Sequence, residues 1–266
     1  MIINVKIILA FLFSLSAFKS DNVIIKLDDV PDFYTCDNFD NVYIYSGNYL
    51  KKYKSDGNQE AQFSTLTYGN VQRVDVSDPF RIVLFYKDYN TILMLDNKLN
   101  QLGEPVRLTD LGLSTVDAVC KSKENGIWLF DSFAQKIRFF NLSNNGFSRI
   151  IDLAKRTKPV YNIENLVEIG SELYFYRSNA ALLSIDQLGG QLKIYDVYPS
   201  LYAQIRNNNL IYNNNQFLYK FNLQTEVKDS VKIEGFENFD DVRLGNSKIF
   251  VLKDKTITIM EKPEGF

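Results

Sequence analysis

A short apolar strand returns six times along this chain, and no other feature constrains the fold as tightly. It reads Val-Tyr-Ile-Tyr at 42–45, Ile-Val-Leu-Phe at 82–85, Ile-Trp-Leu-Phe at 127–130, Leu-Tyr-Phe-Tyr at 173–176, Leu-Ile-Tyr at 210–212 and Ile-Phe-Val-Leu at 249–252. Successive copies start 40, 45, 46, 37 and 39 residues apart. Repeats of that period belong to units that cannot bury their faces alone and must stack on copies of themselves.

Each copy is preceded by an apolar-any-apolar triplet, at Tyr34/Cys36, Val74/Val76, Ala118/Cys120, Val167/Ile169, Ala203/Ile205 and Val242/Leu244. Each is followed by a third strand of alternating apolar residues, with period two rather than 3.6. Turn chemistry such as Ser55-Asp56-Gly57, Asp96-Asn97 and Gly189-Gly190 comes next and reverses the chain into a fourth, outer strand. The expected fold is therefore all-β: a six-bladed β-propeller of four-stranded antiparallel blades. The last unit lacks an outer strand, since little chain follows its third. Residues 22–27 (Asn-Val-Ile-Ile-Lys-Leu) have strand character and no other assignment. They are predicted to pair beside 256–260 and complete the last blade, because an open ring would expose two blade faces and an unpaired edge. No helix of useful length is predicted; the best candidate, 153–156, is one turn at most.

On this blade spacing, and on hairpins such as Tyr53-Lys54-Ser55-Asp56-Gly57 and Ile185-Asp186-Gln187-Leu188-Gly189-Gly190, the chain resembles the broad superfamily of six-bladed propellers that includes NHL-repeat and TolB-like proteins. It lacks a WD dipeptide, a diglycine repeated in each blade, a Ser-x-Asp-x-Gly-x-x-Trp box and a YWTD motif. The resemblance implies an architecture and transfers no functional residue.

The N-terminus reads differently. Residues 1–6 carry one positive charge and 7–15 form a nearly unbroken apolar run, too short to span a bilayer but typical of a signal peptide. With Ser14 and Ser16 as the small residues before the cut, the expected division is a signal peptide at 1–16 and a single propeller domain at 17–266. The protein is then expected to be exported, periplasmic or secreted, and monomeric, with no transmembrane segment in the mature chain. Thirty Lys and Arg against 32 Asp and Glu leave a net charge of −2. That balance gives no basic field for nucleic acid.

The 266 residues contain no histidine, which removes the commonest general base and the commonest transition-metal ligand. Cys36 and Cys120 occupy equivalent apolar slots of blades one and three, too far apart for a disulfide, and read as core. Carboxylates gather where inner strands begin, at Asp32, Asp117, Glu164 and Asp241, with Arg73 and Tyr202 at related places. These positions face the channel mouth, where they would offer oxygen ligands to Ca²⁺ or else stand as solvated strand ends neutralised by Arg73 and nearby lysines. No other cofactor is implied. The connection 152–164, with Arg156 and Tyr161, falls on the same face, and Tyr68, Tyr86, Tyr89, Phe133 and Tyr198 are expected to be exposed in neighbouring connections. Long loops on a rigid scaffold are where binding tends to reside. The leading reading is a non-catalytic extracytoplasmic module or scaffold, of the kind found at a cell envelope, that binds a protein partner through this loop face. The competing readings are a metal-dependent lactonase-like or lyase-like enzyme and a channel binder of a small sugar or peptide.

Overall fold

The computed structural model describes residues 22–200, 203–214 and 216–266. The expected signal peptide and its cleavage point lie outside the described residues, as does Tyr202.

Alternation of apolar residues converts directly into six four-stranded antiparallel sheets. Blade one is β2 (Phe33–Cys36), β3 (Val42–Ser46), β4 (Tyr49–Tyr53) and β5 (Gln59–Ser64). Blade two is β6 (Arg73–Asp75), β7 (Ile82–Tyr86), β8 (Thr91–Leu95) and β9 (Val106–Arg107), and blade three is β10 (Val116–Lys121), β11 (Gly126–Asp131), β12 (Lys136–Asn141) and β13 (Gly146–Asp152). Blade four comprises β14 (Asn165–Ile169), β15 (Glu172–Tyr176), β16 (Leu182–Asp186) and β17 (Lys193–Tyr195). Blade five follows with β18 (Gln204–Arg206), β19 (Asn209–Asn213), β20 (Phe217–Asn222) and β21 (Lys228–Lys232). Blade six contributes β22 (Asp241–Leu244), β23 (Lys248–Lys253) and β24 (Thr256–Glu261), and its outer strand is β1 (Val23–Lys26) from the other end of the chain. The pairing is antiparallel, from Val23 opposite Ile259 to Lys26 opposite Thr256.

The strands of the recurring apolar motif are second in each blade and almost wholly buried. Both of their faces are covered, which explains why they read as continuous apolar runs rather than as alternation. Six apolar clusters result, one at each blade junction. The cluster that closes the ring joins Ile25, Phe250, Leu252, Ile257 and Ile259 of blade six to Tyr34, Cys36, Val42 and Ile44 of blade one.

Residues 153–156 form one hydrogen-bonded turn, as expected, with Arg156 N donating to Leu153 O at 2.9 Å. The one helical segment among the described residues is a 3₁₀ turn not expected from sequence, Leu108–Leu111, ended by Gly112 at φ 75°. Its buried Leu108 fills the junction of blades two and three.

Candidate functional site

The first strand of each blade lines the channel with its free edge, so its backbone groups need partners that no fifth strand supplies. Side chains from other blades provide many of them. Asp75 Oδ2 accepts Lys121 N at 2.7 Å, Glu168 Oε1 accepts Lys123 N at 3.2 Å, and Gln204 Oε1 accepts Leu244 N at 2.7 Å. The Cys36 thiol donates to Leu244 O at 3.1 Å, and Arg206 donates to the same carbonyl and to Asn38 Oδ1. Cys36 and Cys120 are both buried, free thiols. Burial pushes the Cys36 thiol up to about 11 and raises that of Cys120 as well, so both stay protonated and unreactive at neutral pH.

At the end where the first strands begin, the channel is filled. Arg73 Nη1 crosses from blade two to Asn165 Oδ1 of blade four at 2.5 Å. The guanidinium carbons of Arg73 and Arg243 lie 5.8 and 5.7 Å from the Phe33 ring centroid, and that of Arg243 lies 5.4 Å from Tyr34. Asp241 pairs with Arg243 Nε at 3.1 Å and accepts Asn213 Nδ2 and Val242 N. Tyr176 closes the packing, donating to Ala203 O at 2.9 Å. Burial is the largest influence on Asp241 and raises its carboxyl to about 6 despite these partners.

Of the residues singled out from sequence, the structure thus brings Arg73 and Asp241 into one buried cluster. Asp32 and Asp117 stand apart, and Glu164 borders the cluster, its N–H donating to Tyr176 O at 3.1 Å. Asp32 is exposed and accepts Gly47 N; Asp117 pairs with Lys87 Nζ at 3.0 Å and accepts Asn162 N. Glu164 accepts the backbone N–H and hydroxyl of Ser178. The four carboxylates offered to Ca²⁺ therefore do not converge, and no group of three potential metal ligands occurs among the described residues. Arg156 ties its connection to blade four by donating to Gly189 O and Gly190 O, and to Asp152 O at 2.6 Å.

A cavity of about 570 Å³ opens at the opposite end, where the first strands finish. It is lined by Asp37, Arg73, Asp75, Asp78, Cys120, Lys121, Lys123, Glu168 and Arg206, among others. Most of these were missed from sequence, although a signal existed. Asp75, Glu168, Gln204 and Arg243 fill the middle place of the apolar-any-apolar triplets, where a strand packed on both faces has no general use for charge.

The loop face at the strand starts carries exposed apolar side chains from blades one to four and the connections that leave them: Tyr49, Leu66, Tyr89, Phe133, Tyr161 and Tyr198, with Leu66 82% and Phe133 85% accessible. Tyr86, expected there, is buried in the junction of blades one and two, and Tyr68 is half-buried against it with ring centroids 5.4 Å apart. As the last residue of a second strand, Tyr86 shares the face of Ile82 and Leu84 and is buried with them.

No family model and no curated protein sequence matches the chain. Solved structures do. Selenomethionine-substituted virginiamycin B lyase from Staphylococcus aureus aligns with a TM-score of 0.61 at 13% identity, over 91% of this chain and 99% of that one. A streptogramin B lyase aligns with a TM-score of 0.58 at 16% identity, over 91% of this chain and 87% of its own. A catalytically inactive histidine-to-alanine variant of the S. aureus lyase, with quinupristin, gives 0.60 at 13%, over 91% and 100%. The likeness is one of fold. No helix among the described residues is long and apolar enough to cross a membrane.

Proposed function

We propose that this propeller is a non-catalytic binding module, exported from the cytoplasm, that docks a protein partner on the loop face where the inner strands begin. The observation that carries this reading is the gathering of Tyr49, Leu66, Tyr89, Phe133, Tyr161 and Tyr198 as exposed apolar side chains on that face. Single exposed apolar residues are ordinary, but the six here outnumber the four in turns of the opposite end, Phe39, Phe80, Leu188 and Val227. Tyrosine is also the residue that interfaces favour, since it gives large contact area for few rotors and keeps a polar tip for water in the free state. The positive charge at 1–6 followed by the apolar run at 7–15 supports export.

Lyase-like catalysis is the competing reading, favoured by the fold neighbours being virginiamycin B and streptogramin B lyases. The lack of any histidine in 266 residues weighs against the same chemistry, because histidine-to-alanine replacement is described as inactivating the S. aureus lyase. Incubation with quinupristin separates the two. Quinupristin whose chromatographic retention and fragmentation spectrum are unchanged agrees with a binding module, and a new product peak, even one of equal mass, overturns it. For the partner itself, crosslinking in the native host should capture a discrete protein with the parent chain. That protein should be lost from a Tyr89→Ala, Phe133→Ala, Tyr161→Ala triple variant with an unaltered melt, whereas identical crosslink profiles would sink the proposal.

A further inference from the structure

The cavity where the inner strands finish lies opposite the docking face and stands independent of it. It is lined by four carboxylates, Asp37, Asp75, Asp78 and Glu168, and by four cations, Arg73, Lys121, Lys123 and Arg206. The two sets are treated very differently by their surroundings. Asp37 accepts Phe39 N, Asn41 N, Asn41 Nδ2 and the Tyr43 hydroxyl, all within 3.0 Å. Asp75 accepts Ser77 N and Lys121 N; Glu168 accepts Lys123 N and, at 2.7 Å, the Trp128 indole; Asp78 accepts Phe80 N. Neutral donors therefore hold every carboxylate.

None of the four cations takes part in an ion pair with a carboxylate among the described residues. Lys121 Nζ donates to two backbone carbonyls, those of Ser122 and Glu124, and Arg206 to Leu244 O and Asn38 Oδ1. Arg73 uses Nη1 alone, toward Asn165, so among the described residues its Nε and Nη2 edge has no acceptor. That edge is the one an oxyanion takes in a two-point contact. Holding a guanidinium so deep is costly, as the lowering of the Arg73 pKa by burial records.

We infer that this cavity binds a small ligand through a carboxylate or phosphate group, with Arg73 as the floor contact and Lys123 and Arg206 at the rim. Its volume suits a small molecule. The carboxylates around the wall restrict the occupant to one compact oxyanion, since a polyanion would meet Asp75, Asp78 and Glu168 on entry. This is a binding site and asks for no reaction.

Two probes distinguish the sources of the oxyanion: inorganic phosphate and N-acetylglycine, titrated at low salt into protein labelled with ¹⁵N-arginine. The Arg73 Nε–H resonance should move with one of them. Calorimetry should then show its Kd weakened about tenfold or more in Arg73→Gln, the scale of losing a two-point charged contact, and several-fold in Lys123→Ala, whose exposed side chain is not needed for folding. An Arg73 resonance unmoved by both probes up to about 10 mM, the range of a weak subsite, overturns the inference. So does a Kd unchanged in Lys123→Ala and Arg73→Gln alike.

Discussion

Asp241 is a buried carboxyl whose ionisation is displaced from its usual range, and the displacement has a sign. Its carboxyl is raised to about 6 from 3.8, chiefly by burial, while Arg243, Val242 N–H and Asn213 pull it back and Tyr34 and Tyr176 lie close enough to feel its charge. The folded state therefore holds the proton more tightly than the unfolded chain between those values. Stability should rise as pH falls through about 6 and level off near the unfolded value. In thermal melts from pH 7.5 to 5, the wild type should gain on an Asp241→Asn variant as acid is added, and carboxyl NMR should place the Asp241 midpoint near 6. Melts that run parallel across this range would rule the assignment out. Gly245 makes the second residue-scale case. A Cβ there would stand 2.0 Å from Asp40 Oδ1, which accepts Asn246 N at 2.5 Å and, with Oδ2, Ser247 N and its hydroxyl. Gly245→Ala should break this contact and lower stability by about 2 kcal/mol, the cost of leaving a buried carboxylate short of donors, as read by urea denaturation.

Those Asp40 bonds matter at the scale of elements, because they join a turn of blade one to a turn of blade six. The ring is thus closed twice, once by Asp40 and once by β1. Strand β1 covers the edge of β24, and its Ile25 is buried in the closing cluster. Gly57 at φ 83° lets the blade-one turn approach Val23, where a Cβ would come within 2.8 Å. Deleting 22–27 should cost about 4 kcal/mol, the scale of losing a buried isoleucine and its ladder bonds. In a chain of this size that is roughly 8–16 °C in Tm, and an unchanged calorimetric melt would show that β1 does not seal the ring. This strand was legible in sequence because period-two patterning left it without another place and the sixth blade lacked a strand. The 3₁₀ turn at Leu108–Leu111 was not, since one turn is too short for any helical periodicity to register. The channel network was legible only in its parts. Arg73 and Asn165 are 92 residues apart and meet because blades two and four, with one blade between them, both turn their first strands to the channel, a relation set by the curvature of the ring and not by any local pattern.

For the whole molecule, a rigid ring with two dissimilar ends separates two kinds of contact. One end is plugged by Arg73, Arg243, Asp241 and Tyr176 beneath a broad face of exposed aromatics, and the other opens into a charged cavity. The connection from β13 to β14 belongs to the first end, and the sequence pointed to its Arg156 and Tyr161 together. Their positions divide the work. Tyr161 is 56% exposed, free to enter an interface, whereas Arg156 is committed to the Gly189 and Gly190 carbonyls and holds the connection against blade four. Replacing each alone separates contact from positioning. Tyr161→Ala should weaken partner binding by about 1–2 kcal/mol through faster dissociation, with an unaltered melt, as expected for losing a partly buried anchor. Arg156→Ala should leave the propeller folded but loosen the connection, visible as faster amide exchange at residues near 156. Binding should then weaken because a mobile loop must be ordered on docking. If Arg156→Ala speeds exchange while leaving affinity for the crosslinked partner intact, this connection lies outside the interface, and the contact must be sought around Tyr89 and Phe133.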